Sequence, residues 1–213
     1  SEVFNYKRGH QGVIIDEKDA NVARQSPLDY IEGLEKTVVG AIAKARQNFP
    51  SIKKEDFVGI GVDSTGSSPI PVDKNNVALG QLDEFKDNPN AQCWLWKDHT
   101  SYAEAAKITK LSAQFRAQYI AKCGGVYSSE WWWSKIWHCL NVDKKVFDAA
   151  YSWVELADWI PSVLAGVCDP KKIVRGACAA GHKAMFSKEW GGLPDAKFLA
   201  KLAPEIAALR DRL

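Results

Sequence analysis

Residues 57–62, FVGIGV, constrain the fold more than any other stretch of the chain. Six apolar positions, half of them β-branched, break off into five small polar ones, Asp63-Ser64-Thr65-Gly66-Ser67. A short apolar run without polar alternation predicts a strand buried on both faces, and such strands are covered by helices. The chain is therefore expected to be α/β. The small polar residues suit a tight turn, after which SPIPV (68–72) could return as a hairpin arm. Pro69 and Pro71 lack amide donors, so that arm should bond on one side only, as an edge or irregular strand.

The covering helices are legible on both sides of this run. Ser26 as cap, Pro27 at the first helical position and Asp29 three residues after the cap read as a helix start resembling a capping box. Leu28, Ile31, Leu34, Val38, Ile42, Ala45 and Phe49 then recur at helical spacing. Ahead of it, residues 1–6 alternate as a short strand does, and 9–23 are polar and turn-rich. Further on, 91–96 is a strand candidate that runs through WLWKDHT (94–100) into a helix from about Ser101, with Glu104 as its capping partner and Gly124-Gly125 as its end. Helices are also expected over 129–140, capped by Ser128 or Ser129, and over 151–164, where Pro161 should bend or end the regular part. Residues 169–192 read as loop broken by CAAGHKAMF, and 194–213 as a last amphipathic stretch. There is no internal repeat.

Composition excludes several classes of function. At 213 residues, 28 Lys and Arg are interleaved with 26 Asp and Glu for a net charge of +2, which leaves no basic stripe for a nucleic acid backbone. No apolar run approaches a membrane span, and no signal-peptide profile opens the chain. Its first residue, Ser1, hints at a processed or excised piece. The five cysteines are odd in number and never form CxxC, so neither a disulfide framework nor a zinc site is indicated, and reduced cytoplasmic thiols are expected.

Among the motifs, GIGVDSTGSS is glycine-rich, yet Ser64 stands where a dinucleotide fingerprint needs glycine, and no GK[ST] follows. On spacing alone it is a structural turn. The nine tryptophans are more informative, since aromatic faces stack on sugar C–H groups, although most should serve the core. His10, His99, His138 and His182 form no metal-like cluster.

Four stretches together, GIGVDSTGSSPIPVD (59–73), LWKDHT (95–100), GGVYSSEWWWSKIWHCL (124–140) and CAAGHKAMF (178–186), resemble the amino-terminal domain of the FGGY family of carbohydrate kinases. DSTGS, WKDH and the pairing of YSSEW with AGHKA resemble its ribulokinase branch. The resemblance covers nearly the whole chain and implies an actin-like, ribonuclease-H-like fold, here truncated and helix-rich around a small mixed sheet. Residues 1–213 would be a partial sugar-binding domain.

What the resemblance further implies is binding of a pentulose, L-ribulose, and its phosphorylation to L-ribulose 5-phosphate in L-arabinose catabolism. ATP and Mg²⁺ would bind through a carboxy-terminal domain, and a homodimer is allowed. The expected sugar contacts are Gly66, Trp96, Lys97, Asp98, Tyr127, Glu130 and Lys183. Gly66 would admit the sugar close to backbone, and Trp96 would offer an aromatic face. Lys97 and Asp98 would bond hydroxyls or hold the loop, Tyr127 would bind a hydroxyl, and Glu130 would do so or merely favour a helix start. Lys183 would donate to sugar or phosphoryl oxygens, or else lie on the surface with its stem over Phe186. The family's opening phosphate hairpin and the catalytic base, expected beyond Leu213, are not in this sequence, so no catalytic residue is assigned and the piece alone is expected to be inactive. Alternatives are another FGGY pentulose or pentitol kinase such as a D-ribulokinase, a non-catalytic carbohydrate-binding module, and, more weakly, a glycosidase.

Overall fold

The computed structural model describes all 213 residues. The first regular helix, α1 (Pro27–Asn48), starts at Pro27 as expected, but the Ser26 hydroxyl makes no capping bond. Asp29 does not close a capping box either. Its buried carboxylate accepts from the amides of Lys7 at 3.2 Å and Arg8 at 3.0 Å and from Arg8 Nη1 at 2.6 Å. Residues 1–6 therefore form no strand. They lie irregularly along α1, with Tyr6 edge-on to Tyr30 at 5.5 Å and Phe4 packed so close over Gly33 that a Cβ there would stand 3.0 Å from its ring.

FVGIGV is also not a strand here. Val58 is 98% exposed and Ile60 60%, and no strand runs beside either edge. A two-sided strand exists only where neighbours satisfy its amides and cover its faces, and residues 57–62 have neither here. The expected hairpin does not form. Instead β2 (Pro69–Val72) pairs antiparallel with β4 (Ser152–Glu155), Ile70 opposite Val154 and Val72 opposite Ser152. Prolines at alternate positions suit bonding mainly on one side, and only Val72 at the strand's end is bridged on the other, to Ala78. The other ladder joins β1 (Arg24–Gln25) to β3 (Cys93–Trp94), also antiparallel. Two separate two-stranded ladders thus replace the small mixed sheet expected.

The helix expected from Tyr151 begins only after β4, as α6 (Leu156–Leu164), with Pro161 inside it. Trp153 and Val154 are aromatic and β-branched, and they are wholly buried against β2, which favours the strand. The stretch after Ser101 divides into α2 (Tyr102–Phe115) and α3 (Gln118–Ala121), ended by Gly124 and Gly125 at positive φ with the Gly125 amide on Ile120 O at 2.8 Å. Ser101 does not cap α2, because its hydroxyl donates to Ser129 O at 2.9 Å. Glu104 instead holds His138 Nδ1 at 3.1 Å and Asn141 Nδ2 at 2.8 Å.

The remaining helices are α4 (Trp132–Val142), α5 (Lys144–Ala149), α7 (Ala177–Ala184), α8 (Ala196–Leu202) and α9 (Pro204–Leu209). The larger core gathers Trp94, Trp133, Trp153, Ile108, Ile136 and Phe198 between the ladders and these helices. A smaller one, with Tyr30, Ile70, Val154 and Trp159, lies against α1 and α6. No helix is long and apolar enough to cross a membrane.

Candidate functional site

The turn after the FVGIGV run is held from several elements at once. Ser67 sits in the left-handed region at φ 66°, a conformation that costs a non-glycine residue energy unless its surroundings impose it. Here they do. Ser67 Oγ donates to Glu130 O at 2.5 Å, and Lys135 Nζ donates to Ser67 O at 3.0 Å. The Ser68 amide donates to Glu155 Oε2 at 2.8 Å, and Ser68 O accepts from the Leu156 amide at 3.0 Å. Within the turn, Thr65 Oγ1 and Ser68 Oγ stand 2.8 Å apart.

Two buried charges stand behind this turn. Lys135 is wholly buried on α4, and burial pulls its ammonium down to about 7. Glu155, 4% exposed, is pushed up to about 7, chiefly by burial, against the opposing influence of the Ser68 amide and the nearby Lys183 and Lys135 ammonium groups. Its second oxygen, Oε1, has no partner. Sequence reasoning passed over both residues. The signal for Lys135 was present, because it shares the helical face of Trp132, Ile136 and Cys139 in an otherwise apolar run.

Gly66 and Lys183 meet across the turn, where a Cβ on Gly66 would collide with Lys183 Nζ. Lys183 is half-buried on α7, and its own backbone carbonyl accepts from the Tyr127 hydroxyl, which in turn accepts from the Trp133 amide at 2.9 Å. Tyr127 is 2% exposed and both of its bonds are internal, so the hydroxyl-binding role expected of it gives way to that of an anchor for Lys183. Glu130 is half-buried beside the turn and offers it a backbone carbonyl; its carboxylate has no hydrogen-bond partner.

WLWKDHT alternates between inside and outside. Trp94 is buried, and Arg24 lies 3.4 Å over its ring centroid. Trp96 is 47% exposed and Lys97 is exposed, which leaves both accessible. Asp98 is fully buried. It forms an ion pair with Arg24 and accepts from the Ala23 amide at 2.8 Å and Thr100 Oγ1 at 2.6 Å. Of the two roles expected for Asp98, it fills the second: it holds the loop and turns away from any ligand outside. His99 Nδ1, 3.0 Å from Ser129 Oγ, ties the loop to the 128–130 segment.

The structure thus brings together Gly66, Lys183 and Glu130 around one turn and leaves Trp96 and Lys97 on the adjoining loop. A separate apolar groove of about 620 Å³ between residues 4–6, α1 and residues 60–65 is lined by none of the expected sugar contacts. No three His, Cys, Asp or Glu side chains converge as a group that could hold a metal ion.

No protein-family profile matches the chain. It is 44% identical over 215 residues to a ribulokinase of Vibrio parahaemolyticus, covering 100% of this chain and 37% of that protein. Ribulokinases of Shouchella clausii, 35% identical over 88% of the chain, and Halalkalibacterium halodurans, 33% identical over 96%, are covered to 31% and 33% of their lengths. Among solved structures, a xyloylose kinase from Brucella ovis superposes with a TM-score of 0.60 at 17% identity, over 90% of this chain and 34% of that one, which establishes a shared fold. By sequence, the chain belongs with the ribulokinases, over about a third of their length.

Proposed function

We propose that this chain is the sugar-binding part of an ATP-dependent kinase that phosphorylates L-ribulose to L-ribulose 5-phosphate. The observation that carries the reading is its similarity to ribulokinases from end to end. Phosphoryl transfer of this kind depends on positioning the acceptor hydroxyl in line and on neutralising the phosphates. This chain supplies the first of these. Gly66 lets the sugar approach backbone, Trp96 stacks on its carbon face, and Lys97 and Lys183 donate to its oxygens, with the Glu130 carboxylate free to accept from a hydroxyl. ATP, Mg²⁺ and the proton-accepting carboxylate come from the rest of the longer enzyme, which works in the cytoplasm in L-arabinose breakdown. An actin-like architecture belongs to the same reading, with residues 57–62 offering both edges to further strands.

Titrating the purified chain with L-ribulose, D-ribulose and a pentitol, and following Trp96 and Gly66 by NMR, tests the proposal. L-ribulose should perturb both residues at lower concentration than the others do. Equal or absent responses to all three sugars overturn it.

A further inference from the structure

We propose that Lys135 is a positioning residue that sets the separation between the two walls of the proposed sugar site; the inference rests on that reading and deepens it. Its single ammonium donates to Ser67 O at 3.0 Å and to Leu95 O at 2.6 Å. Ser67 directly follows Gly66, and Leu95 directly precedes Trp96. One side chain therefore fixes the backbone next to the close-approach glycine and next to the exposed aromatic, on loops that are far apart along the chain. From β3, the Cys93 thiol also reaches the turn, 3.6 Å from Ser68 O.

The mounting of this brace is rigid. Lys135 projects from α4 between Trp133 and Ile136, both wholly buried in the larger core. A buried ammonium is costly, and an apolar side chain of the same length would fill the space at no such cost. What methionine could not do is hold two carbonyls. The left-handed φ of Ser67 is the visible result, since the bond to its carbonyl, with that from its own hydroxyl to Glu130 O, selects the strained conformer.

The test compares the 213-residue chain with Lys135→Met. In the parent, the Lys135 Nζ protons should exchange slowly and couple to the Ser67 and Leu95 carbonyls. In the variant, the Ser67 Cα and Cβ shifts should leave left-handed values and the Trp96 indole signal should move, while those of Trp133 and Trp153 stay. L-ribulose should bind about tenfold more weakly to the variant, at an unchanged melting temperature. Unchanged signals from residues 64–68 and 95–98 in a folded Lys135→Met chain overturn the brace, whatever the sugar does. Should the variant not fold, fast exchange of the parent's Nζ protons overturns it equally. A parent that shows these brace signatures but no response to L-ribulose sinks the sugar reading and leaves the brace standing.

Discussion

Replacing Glu155 by glutamine should make the chain more stable at alkaline pH and leave it nearly unchanged at acidic pH. The carboxyl ionises at an ordinary 4.5 in the unfolded chain and at about 7 in the folded one. Between those values the folded state binds more protons than the unfolded state, so stability falls as pH rises through the window, and the whole cost is present above it. At about 1.4 kcal/mol per tenfold, the shift from 4.5 to about 7 amounts to about 3 kcal/mol for a group that solvent barely reaches. Glutamine keeps an acceptor for the Ser68 amide, and the charge assistance that this bond loses is already contained in the net shift. Lys135 loses a counter-charge, yet at pH 8 its own ammonium, held to about 7, is largely neutral and needs none. The expected gain is therefore up to about 3 kcal/mol at pH 8 and near zero at pH 4.5. Urea denaturation followed by tryptophan fluorescence at the two pH values measures it. If Glu155→Gln is no better relative to the parent at pH 8 than at pH 4.5, the buried carboxyl is not raised to about 7 in the folded chain.

Asp98→Ala removes the partner of a wholly buried guanidinium and should cost about 3–5 kcal/mol, read from the same denaturation curves; a loss under 1 kcal/mol would show that Arg24 is solvated. Trp96→Ala should weaken L-ribulose binding by about 1–3 kcal/mol in calorimetry with no change in melting temperature, since its ring is 47% exposed; equal affinity removes it from the sugar site. In a full-length kinase of the proposed kind, Lys183→Ala should lose roughly 2–4 kcal/mol of transition-state stabilisation without a matching loss of thermal stability, and a near-parental kcat/KM would return Lys183 to the surface. On the proposed reading, in which ATP and Mg²⁺ are clamped outside residues 1–213, these residues by themselves should release no ADP from ATP and L-ribulose in a coupled assay; measurable turnover refutes that assignment.

The longer helices α1, α2 and α4 were readable from the sequence because their apolar spacing is local, whereas the six-residue α5 was not foreseen. Pro27, the 3.6-residue rows after it and the glycine pair at 124–125 each leave a mark within a few residues. The strands were harder to read, since a strand is defined by its partner. FVGIGV has the composition of a buried strand and lies exposed without neighbours, whereas SWVE, read as helix, is drawn into β4 by a segment more than eighty residues earlier. Around the candidate site, Gly66 and Lys183, each expected separately as a sugar contact, lie against each other, a proximity that no local pattern announces. Asp98 and Tyr127 were recognised as significant residues but turn inward, because hydrogen-bonding capacity in a sequence does not tell which side of a loop will use it. Lys135 and Glu155 were missed for a related reason: a charge inside an apolar run reads as surface until its buried partners are known.

The anchoring of the tryptophan loop through residue 98 carries a consequence for the order of folding. The Asp98 carboxylate takes the Ala23 amide, the Leu95 amide donates to Ala23 O at 3.1 Å, and the His99 amide to Asn21 O at 3.0 Å. Each of these bonds closes a loop of more than seventy residues, with an entropic toll that local helices such as α2 and α4 never meet. The helical scaffold should therefore assemble first, with the loop unmoored and Asp98 in water, and the exposed Trp96 should reach its native setting only when residues 21–24 dock. In stopped-flow refolding, the burial of Trp133 would precede that docking. Mutations in the segment at 21–24, distant in sequence from every expected sugar contact, would then slow the appearance of sugar-binding competence without slowing collapse.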